Sequence, residues 1–272
     1  MNPFVKLPKV PVVSGRQEVI LLKCKGKRVL HLGCVDAGLF ERRLEQGRLM
    51  HQKLSTVSEE LWGVDIDGES ISLLEKRGYT NLIVGDICHL DKISVLREKP
   101  FDVIVASEVL EHLENPGMFL DAVRVLMVPG KTELVITVPN AFSIDTLLCL
   151  LQGVERVHPD HNYWFSYYTL KNLIQKKNFK IEEIYVYSFQ QTGVLPVTSR
   201  LLFKRLFGKQ GERTDQKSSS SNSPVKVLFT KRFLAYFQSL PKRVLVSVLY
   251  KKTPFWGDGI IISVKACFDD YT

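Results

Sequence analysis

Acidic side chains stand directly after short apolar segments of this sequence, at the points where predicted strands end. Asp65 closes the segment 60–65, and Asp86 comes shortly after the segment 81–84. A carboxylate accepts two hydrogen bonds side by side, so Asp65 suits the two hydroxyls of a ribose, and Asp86 suits the amino group of an adenine. The alternative for Asp86 is a purely local role as a helix cap. These residue types predict a nucleotide-like ligand.

A glycine turn precedes these carboxylates in the chain. The apolar segment 28–32 runs into Gly33, and a helical pattern begins near Gly38. A strand, a glycine turn and a helix bring backbone N–H groups close to a ligand, and glycine permits a positive φ at the turn. Val35 and Ala37 stand where a G-x-G-x-x-G fingerprint would need glycine. A bare turn without a ligand is therefore the alternative.

Three histidines are candidates for proton chemistry. His112 follows a predicted strand, and His158 and His161 lie in a loop that continues into Trp164 and Phe165. Imidazole titrates near neutral pH, which suits a general base, and the two aromatic rings would form a pocket wall. The other interpretation is that the aromatic residues cover the sheet edge while the histidines cap turns. No metal is predicted, because the close spacing is not a strong ligand pattern.

Alternating strand and helix patterns must position these side chains. Strands are predicted at 28–32, 60–65, 81–84, 101–106, 132–138, 180–187 and 259–266, and helices at 15–24, 38–51, 68–77, 117–127 and 167–177. This alternation predicts an α/β fold with a doubly wound, mostly parallel, seven-stranded sheet. In such a sheet, ligands bind beyond the carboxyl ends of the strands, where the residues above would meet.

Composition places the chain among globular proteins of a reducing compartment. It has 272 residues, of which 45% are hydrophobic, and we interpret residues 1–272 as one domain with an irregular arm at 1–14. The five cysteines form no C-x-x-C pair, which argues against a zinc site or a disulfide framework. Prolines break the apolar N-terminus, and no apolar run reaches about 18 residues, so neither a signal peptide nor a membrane span is predicted. The expected location is cytoplasmic.

Positive charge is concentrated in one segment. Residues 201–252 carry twelve Lys and Arg against two acidic residues, while the net charge of the whole chain is +8. This segment lies within a predicted basic, largely helical insertion at 189–258, before the last strand. The insertion is interpreted first as a lid or partner surface, and next as a peripheral contact with an anionic membrane surface. Nucleic acid is disfavoured as a partner, because no RNA-binding motif is visible.

Five ordered motifs resemble those of the class I S-adenosylmethionine-dependent methyltransferases. They are Val29 to Gly38, Gly-Val-Asp-Ile-Asp at 63–67, Gly85-Asp86-Ile87, the segment 101–113 that ends in Glu-His-Leu, and Pro129-Gly130 with Thr137 to Asn140 beyond it. The resemblance covers roughly residues 15–190. It is nearest to the branch with the Glu-His-Leu box, some of whose members methylate small molecules, quinone precursors or sugars.

The resemblance implies S-adenosylmethionine as cofactor and assigns a part of it to each motif. At the nucleoside end, the implied contacts are Asp65 to the ribose, Ile66 to the adenine face, and Asp86 and Ile87 to the adenine edge. At the methionine end, the implied residues are Gly33, Cys34, Ser107 and Glu108. The implied activity is transfer of a methyl group to oxygen or nitrogen of a small-molecule or glycan-type acceptor, with His112, His161 or His158 as the base.

The first motif departs from the family pattern. His31 stands where the family usually has an acid that helps hold the cofactor's ammonium group. A neutral imidazole can accept one hydrogen bond, and Asp36 can substitute for the missing acid. A non-catalytic binding or scaffold protein that kept the fold is therefore the alternative function. A nicotinamide-dependent enzyme is disfavoured by the missing glycine fingerprint. His51 is interpreted as an ordinary helix-face residue.

Overall fold

One open sheet organises the part of the chain that the structure, a computed structural model, describes. The described residues are 4–36, 39–150, 153–188 and 253–267. The basic segment 201–252, with its predicted roles as lid or membrane contact, lies outside them, as do Ala37 and Gly38. The strands are β1 (Val12–Val13), β2 (Arg28–Leu32), β3 (Glu60–Asp65), β4 (Leu82–Val84), β5 (Val103–Ser107), β6 (Glu133–Pro139), β7 (Phe179–Tyr187) and β8 (Gly259–Ala266).

Helices cover both faces of this sheet. They are α1 (Arg16–Cys24), α2 (Phe40–Glu45), α3 (Met50–Ser55), α4 (Gly68–Lys76), α5 (Ser94–Arg97), α6 (Pro116–Leu126), α7 (Ile144–Leu150) and α8 (Tyr167–Lys176), with 3₁₀ segments at Ile87–Lys92, Leu110–His112 and Pro254–Trp256. The apolar stripe of α6 shows why such segments form helices that pack against the sheet. Phe119, Leu120 and Val123 recur at helical spacing and are all fully buried.

The strand order creates the switch point that the alternating pattern predicts. In space the order is β1-β7-β8-β6-β5-β2-β3-β4, and β8 runs antiparallel to β6 and β7. The pairs of β2 with β3 and with β5 are both parallel. The chain therefore winds outward from β2 in two directions, and a crevice opens at the carboxyl end of β2. Gly33 lies at that end.

The predicted α/β fold with a mostly parallel sheet is confirmed, with one strand more than the seven predicted. Val12 and Val13 pair with Val186 and Tyr187 of β7 and add a short edge strand to the predicted arm. Pro11 does not prevent this pairing, because an edge strand leaves one side without ladder hydrogen bonds. None of the described helices is both long and apolar enough to span a bilayer.

The single helix predicted at 38–51 is wrong. The structure has two shorter helices there, α2 and α3. Gly47 adopts a φ of +64° between them, a left-handed conformation that stops the first helix. Arg48 then donates its backbone N–H to the carbonyl of Arg43, which closes the end of α2. The break matters because α3 starts in a new direction and carries His51.

Replacing Ser166 with alanine is expected to lower the free energy of unfolding by about 1 kcal/mol. Ser166 begins α8, and its Oγ accepts the backbone N–H of Thr169 at 3.2 Å while Thr169 Oγ1 accepts the N–H of Ser166 at 2.9 Å. The variant leaves the N–H of Thr169 without its acceptor, while the N–H of residue 166 can still donate to Thr169 Oγ1. Urea denaturation measures the loss. Ser72→Ala, at an exposed position of α4, is the control and should change little, whereas equal effects of both changes would contradict the cap.

Candidate functional site

The turn after β2 can be made only by a glycine. Gly33 has a φ of +68°, and a Cβ atom on it would lie 2.7 Å from Cγ2 of Val109. Its backbone N–H donates to the carbonyl of Val64 on the neighbouring strand at 2.9 Å, and the N–H of Cys34 donates to the same carbonyl at 3.3 Å. Both N–H groups therefore serve the turn itself. The turn brings the start of the next segment against the end of β3.

Asp65 joins the turn after β2 to the turn after β3. Its Oδ2 accepts the backbone N–H of Val35 at 2.9 Å, and its Oδ1 accepts the N–H of Asp67 at 3.1 Å. The residue is only 8% exposed, and this burial raises the pKa of its carboxyl group although the backbone N–H groups oppose the shift. Each oxygen keeps a further lone pair. Two hydroxyls of one ligand can therefore still bind to this carboxylate.

Ile66 and Asp86 flank that carboxylate. Ile66 is 77% exposed, so a large apolar side chain stands free at the carboxyl edge of the sheet. Asp86 caps the 3₁₀ segment that Ile87 begins: its Oδ1 accepts the N–H of Cys88 at 2.8 Å, and its Oδ2 lies 2.6 Å from Nδ1 of His89. The Cys88 N–H, and then His89, lower the pKa of Asp86. The local capping role left open for Asp86 is therefore present.

A cavity of about 170 Å³ opens beside the glycine turn. Its lining is formed by Arg16, Gln17, His31, Gly33, Cys34, Val35, Asp36, Arg43, Arg48, Leu49, Met50 and Ser107. Three of these side chains are arginines and one is a carboxylate. Asp36 forms an ion pair with Arg43, which leaves the cavity with an excess of positive charge. The lining suits a small ligand group that carries a carboxylate.

His31 forms a buried pair with His51, which lies on a helix as predicted, on the buried face of α3. The Nδ1 atoms lie 3.3 Å apart, and the rings stack with centroids 5.5 Å apart. Burial lowers the pKa of His31 well below its usual value and that of His51 to about 4. Gly63 makes room for the pair, because a Cβ there would lie 2.8 Å from Cε1 of His51. Both rings are therefore neutral near pH 7, with one donating to the other.

Glu108 is held by a network at the carboxyl ends of β5, β6 and β7. Its carboxylate accepts hydrogen bonds from Thr137 Oγ1 at 2.8 Å and from the Tyr187 hydroxyl at 3.1 Å. Arg16 reaches Glu108 at 3.9 Å and donates from Nε to Ser107 Oγ at 3.1 Å. Glu108 has a φ of +56°, which a non-glycine residue adopts only when its surroundings enforce it. Ser107 and Glu108 are therefore fixed at the edge of the crevice.

Glu111 is a buried carboxyl group that the sequence interpretation left without a role. It is 1% exposed, and within the described ranges neither carboxyl oxygen has a hydrogen-bond partner. Burial, and then the negative charge of Glu108, raise the pKa of Glu111 strongly. Its backbone carbonyl accepts the N–H groups of Asn162 and Tyr163, at 2.7 and 3.2 Å. The only sequence feature that could have drawn attention to Glu111 was its position in the Glu-His-Leu box.

The three candidate histidines come together above this network. The ring of His161 lies 4.6 Å from that of His112 and 5.3 Å from that of His158, centroid to centroid. Asn162 holds the loop to the strand end by donating from Nδ2 to the carbonyl of His112 at 2.8 Å. Burial, followed by the two neighbouring rings, lowers the pKa of His161, so this imidazole is neutral at pH 7. The loop thus places three proton-accepting side chains side by side.

The aromatic residues after the histidines divide between surface and core. The Trp164 ring lies 6.4 Å from that of His161, nearly perpendicular to it, and stays partly exposed. Phe165 is buried in the main core and is bridged to Asn140 at the end of β6. The expectation that Phe165 lines a pocket is wrong, because its side chain is buried and packs within the main core. Trp164 remains the aromatic side chain beside the histidines.

Known proteins resemble this chain across the region that contains the site. The sequence model of the family described as "Methyltransferase domain" matches residues 14–184. A ubiquinone biosynthesis O-methyltransferase from Paraburkholderia phymatum is 23% identical over 107 residues, which cover 39% of this chain and 41% of that protein. The enzyme of that name from Xylella fastidiosa is 28% identical over 115 residues, which cover 42% of each chain. The matched region thus spans about two fifths of these relatives.

Solved structures share the fold at low sequence identity. A chain in the complex formed by the Haloferax volcanii Trm112 methyltransferase activator superposes with a TM-score of 0.50 at 12% identity, covering 92% of this chain and 88% of that one. A SAM-dependent methyltransferase from Archaeoglobus fulgidus gives 0.48 at 18% identity, with coverage of 92% and 95%. The family model matches well more than half of the residues of this chain. The chain therefore belongs to the methyltransferase-domain family, within the class I S-adenosylmethionine-dependent methyltransferases.

Proposed function

We propose that this protein transfers the methyl group of S-adenosylmethionine to an oxygen or nitrogen of a small-molecule or glycan-type acceptor. The observation that carries the proposal is the Asp65 carboxylate, held by two backbone N–H groups at the switch point beside the Gly33 turn. The relatives named ubiquinone biosynthesis O-methyltransferase favour oxygen as the acceptor atom. The branch marked by the Glu-His-Leu box stays a prediction.

The nucleoside end of the cofactor fits the edge formed by β3 and β4. Asp65 would accept from the two ribose hydroxyls through the lone pairs that its backbone partners leave. Ile66, which is 77% exposed, would cover one face of the adenine and lose its contact with water. Asp86 keeps lone pairs for the adenine amino group beyond its capping bonds, and Ile87 would offer its backbone N–H to the ring.

The methionine end of the cofactor fits the cavity beside the glycine turn. Arg16 supplies a cation for the carboxylate, since its guanidinium lines the cavity and already reaches Ser107. Asp36 would balance the ammonium group, and His31 can accept one hydrogen bond from it because its ring is neutral. Gly33, Cys34, Ser107 and Glu108 would complete this end. The departure at His31 is thus compatible with binding.

The chemistry of the reaction requires alignment and loss of one proton. Bound S-adenosylmethionine would supply a methyl group on a positively charged sulfur. This chain would hold the acceptor in line with that methyl group and assist removal of the proton from its nucleophilic atom. His112, His158 and His161 are the groups that we assign to this step, and Trp164 would contact the acceptor. The acceptor then lies above the ends of β5 and β6.

Calorimetric titration of the chain with S-adenosylhomocysteine and S-adenosylmethionine tests the first half of the proposal. We expect saturable binding of one molecule per chain. A radiolabelled methyl group should then pass to a member of a panel of phenols, catechols, amines and sugar hydroxyls. Absence of binding for both nucleosides would refute the enzyme assignment. Tight binding without transfer to any class of acceptor would instead support the non-catalytic alternative.

A further inference from the structure

The three histidines beside the crevice are arranged as ligands of a single ion. One nitrogen of each ring, from His112, His158 and His161, lies within 4.8 Å of those of the other two. Nitrogen atoms around a tetrahedral zinc ion are about 3.4 Å apart, since each Zn–N distance is about 2.0–2.1 Å. The nitrogen atoms must therefore approach one another by at most about 1.4 Å. Two of the rings are exposed and the third is partly exposed, so rotation of the side chains can supply it.

The polar surroundings of the rings also suit an ion. Nδ1 of His161 is buried and has no hydrogen-bond partner within the described part of the chain, although a buried nitrogen without a partner is costly. The backbone N–H of Asp160 donates to Nδ1 of His158 at 3.4 Å, and a carboxylate oxygen of Asp160 lies 3.6 Å from the same nitrogen. This carboxylate places a negative charge beside the His158 ring, which favours a bound cation. The loop thus offers ligands and a neighbouring negative charge.

The ligand type selects the class of metal. Neutral imidazole binds borderline divalent transition metals such as zinc, cobalt and nickel, whereas magnesium and calcium require oxygen ligands. Three protein ligands leave a fourth position open, as in catalytic zinc sites, while structural zinc sites use four. The sequence did not predict this site, because the close spacing of His158 and His161 is not a strong ligand pattern and His112 lies far from them along the chain. The contact between the loop and the strand end brings His112 close to His158 and His161.

We propose that His112, His158 and His161 bind one divalent transition-metal ion of the zinc class, with an open coordination position. At that position the ion would favour loss of the proton from an acceptor hydroxyl, which passes to solvent as the oxygen takes the methyl group and the methyl–sulfur bond breaks. This role rests on the proposed methyl transfer. The binding of the ion does not, because it uses only this chain's own side chains.

Metal titration of the full chain, without a histidine tag and after treatment with a chelator, tests the site. We expect one zinc ion per chain by calorimetry, and a visible absorption band of tetrahedral cobalt when Co²⁺ is used. His112→Ala, His158→Ala and His161→Ala should each weaken zinc binding by at least about 100-fold, because loss of a mere supporting group already costs about 10–100-fold. Each variant should keep the wild-type circular dichroism spectrum, since none of the three rings is fully buried.

His89→Ala is the matched control. His89 lies on the 3₁₀ segment 87–92, pairs with Asp86 and takes no part in the cluster, so its loss should leave zinc affinity unchanged. Equal zinc affinity of the wild type and the three cluster variants would overturn the proposal, as would an absent cobalt band. S-adenosylhomocysteine is titrated into the same metal-free protein. Binding of the nucleoside without binding of zinc would refute the metal site and support the methyltransferase proposal. Binding of zinc without binding of the nucleoside would support the metal site and refute the methyltransferase proposal.

Discussion

Replacing Asp65 with alanine is expected to weaken binding of S-adenosylhomocysteine by about 10- to 100-fold. The variant removes the proposed acceptor for two ribose hydroxyls, and a hydrogen bond to a charged group contributes about 1.5–3 kcal/mol. It also frees the N–H groups of Val35 and Asp67, which shape the two turns that face the ligand. Calorimetric titration at fixed pH and salt measures the affinity directly.

Two further variants separate the lost ligand contact from a general disturbance. Asp65→Asn keeps the shape of the side chain but loses the charge and one acceptor oxygen, so we expect a smaller loss of affinity than for alanine. Asp121 lies on α6, pairs with Lys177 and does not line the cavity, so Asp121→Ala should bind the nucleoside as the wild type does. If Asp65→Ala bound the nucleoside as tightly as Asp121→Ala, the assignment of Asp65 to the ribose would be wrong.

Replacing Glu111 with glutamine is expected to make the folded protein more stable at pH 8 and to change its stability little at pH 4. Glu111 is buried without a hydrogen-bond partner among the described residues, and its pKa is raised by burial and then by Glu108. Above the usual pKa of about 4.3, the unfolded chain has lost this proton while the folded chain keeps it. Stability of the wild type therefore falls as the pH rises towards the folded pKa.

The size of the effect follows from the same linkage. Each pKa unit between the folded and unfolded states is about 1.4 kcal/mol, so a gain of several kcal/mol at pH 8 is within reach. Glutamine carries no charge at either pH, so it removes this pH-dependent loss of stability while keeping the shape of the side chain. Urea denaturation at several pH values measures the difference.

Glu114→Gln is the matched control for this experiment. Glu114 is exposed on the same segment, so its replacement should leave the pH profile of stability unchanged. Parallel profiles for the wild type and Glu111→Gln would show that Glu111 is ionised in the folded protein. The same substitution is expected to show whether the buried carboxyl group serves function, because stabilising changes at active sites commonly reduce activity.

Much of the fold could be predicted because its signals are local. The strand predicted at 60–65 matches β3 residue for residue, and the helix predicted after Asp67 begins at Gly68 with Asp67 as its cap. The cap is a contact over three residues, and the strand is predicted from Leu61, Trp62 and Val64, which lie within four consecutive residues. The prediction of a single helix at 38–51 was wrong because the backbone turns at Gly47, inside an otherwise helical pattern.

Residue types and their order were enough to predict the glycine turn, the acidic strand ends and the edge of the sheet where they meet. These depend on residue type and on the rule that parallel strands share a carboxyl edge. The contacts between distant side chains are visible only in the folded protein: His31 with His51, Arg16 with Glu108, and His112 with His161. Such contacts depend on strand order, helix direction and loop path together, and no short stretch of sequence carries that information. The buried, unpaired state of Glu111 arises in the same way, because burial is a property of everything packed around a residue.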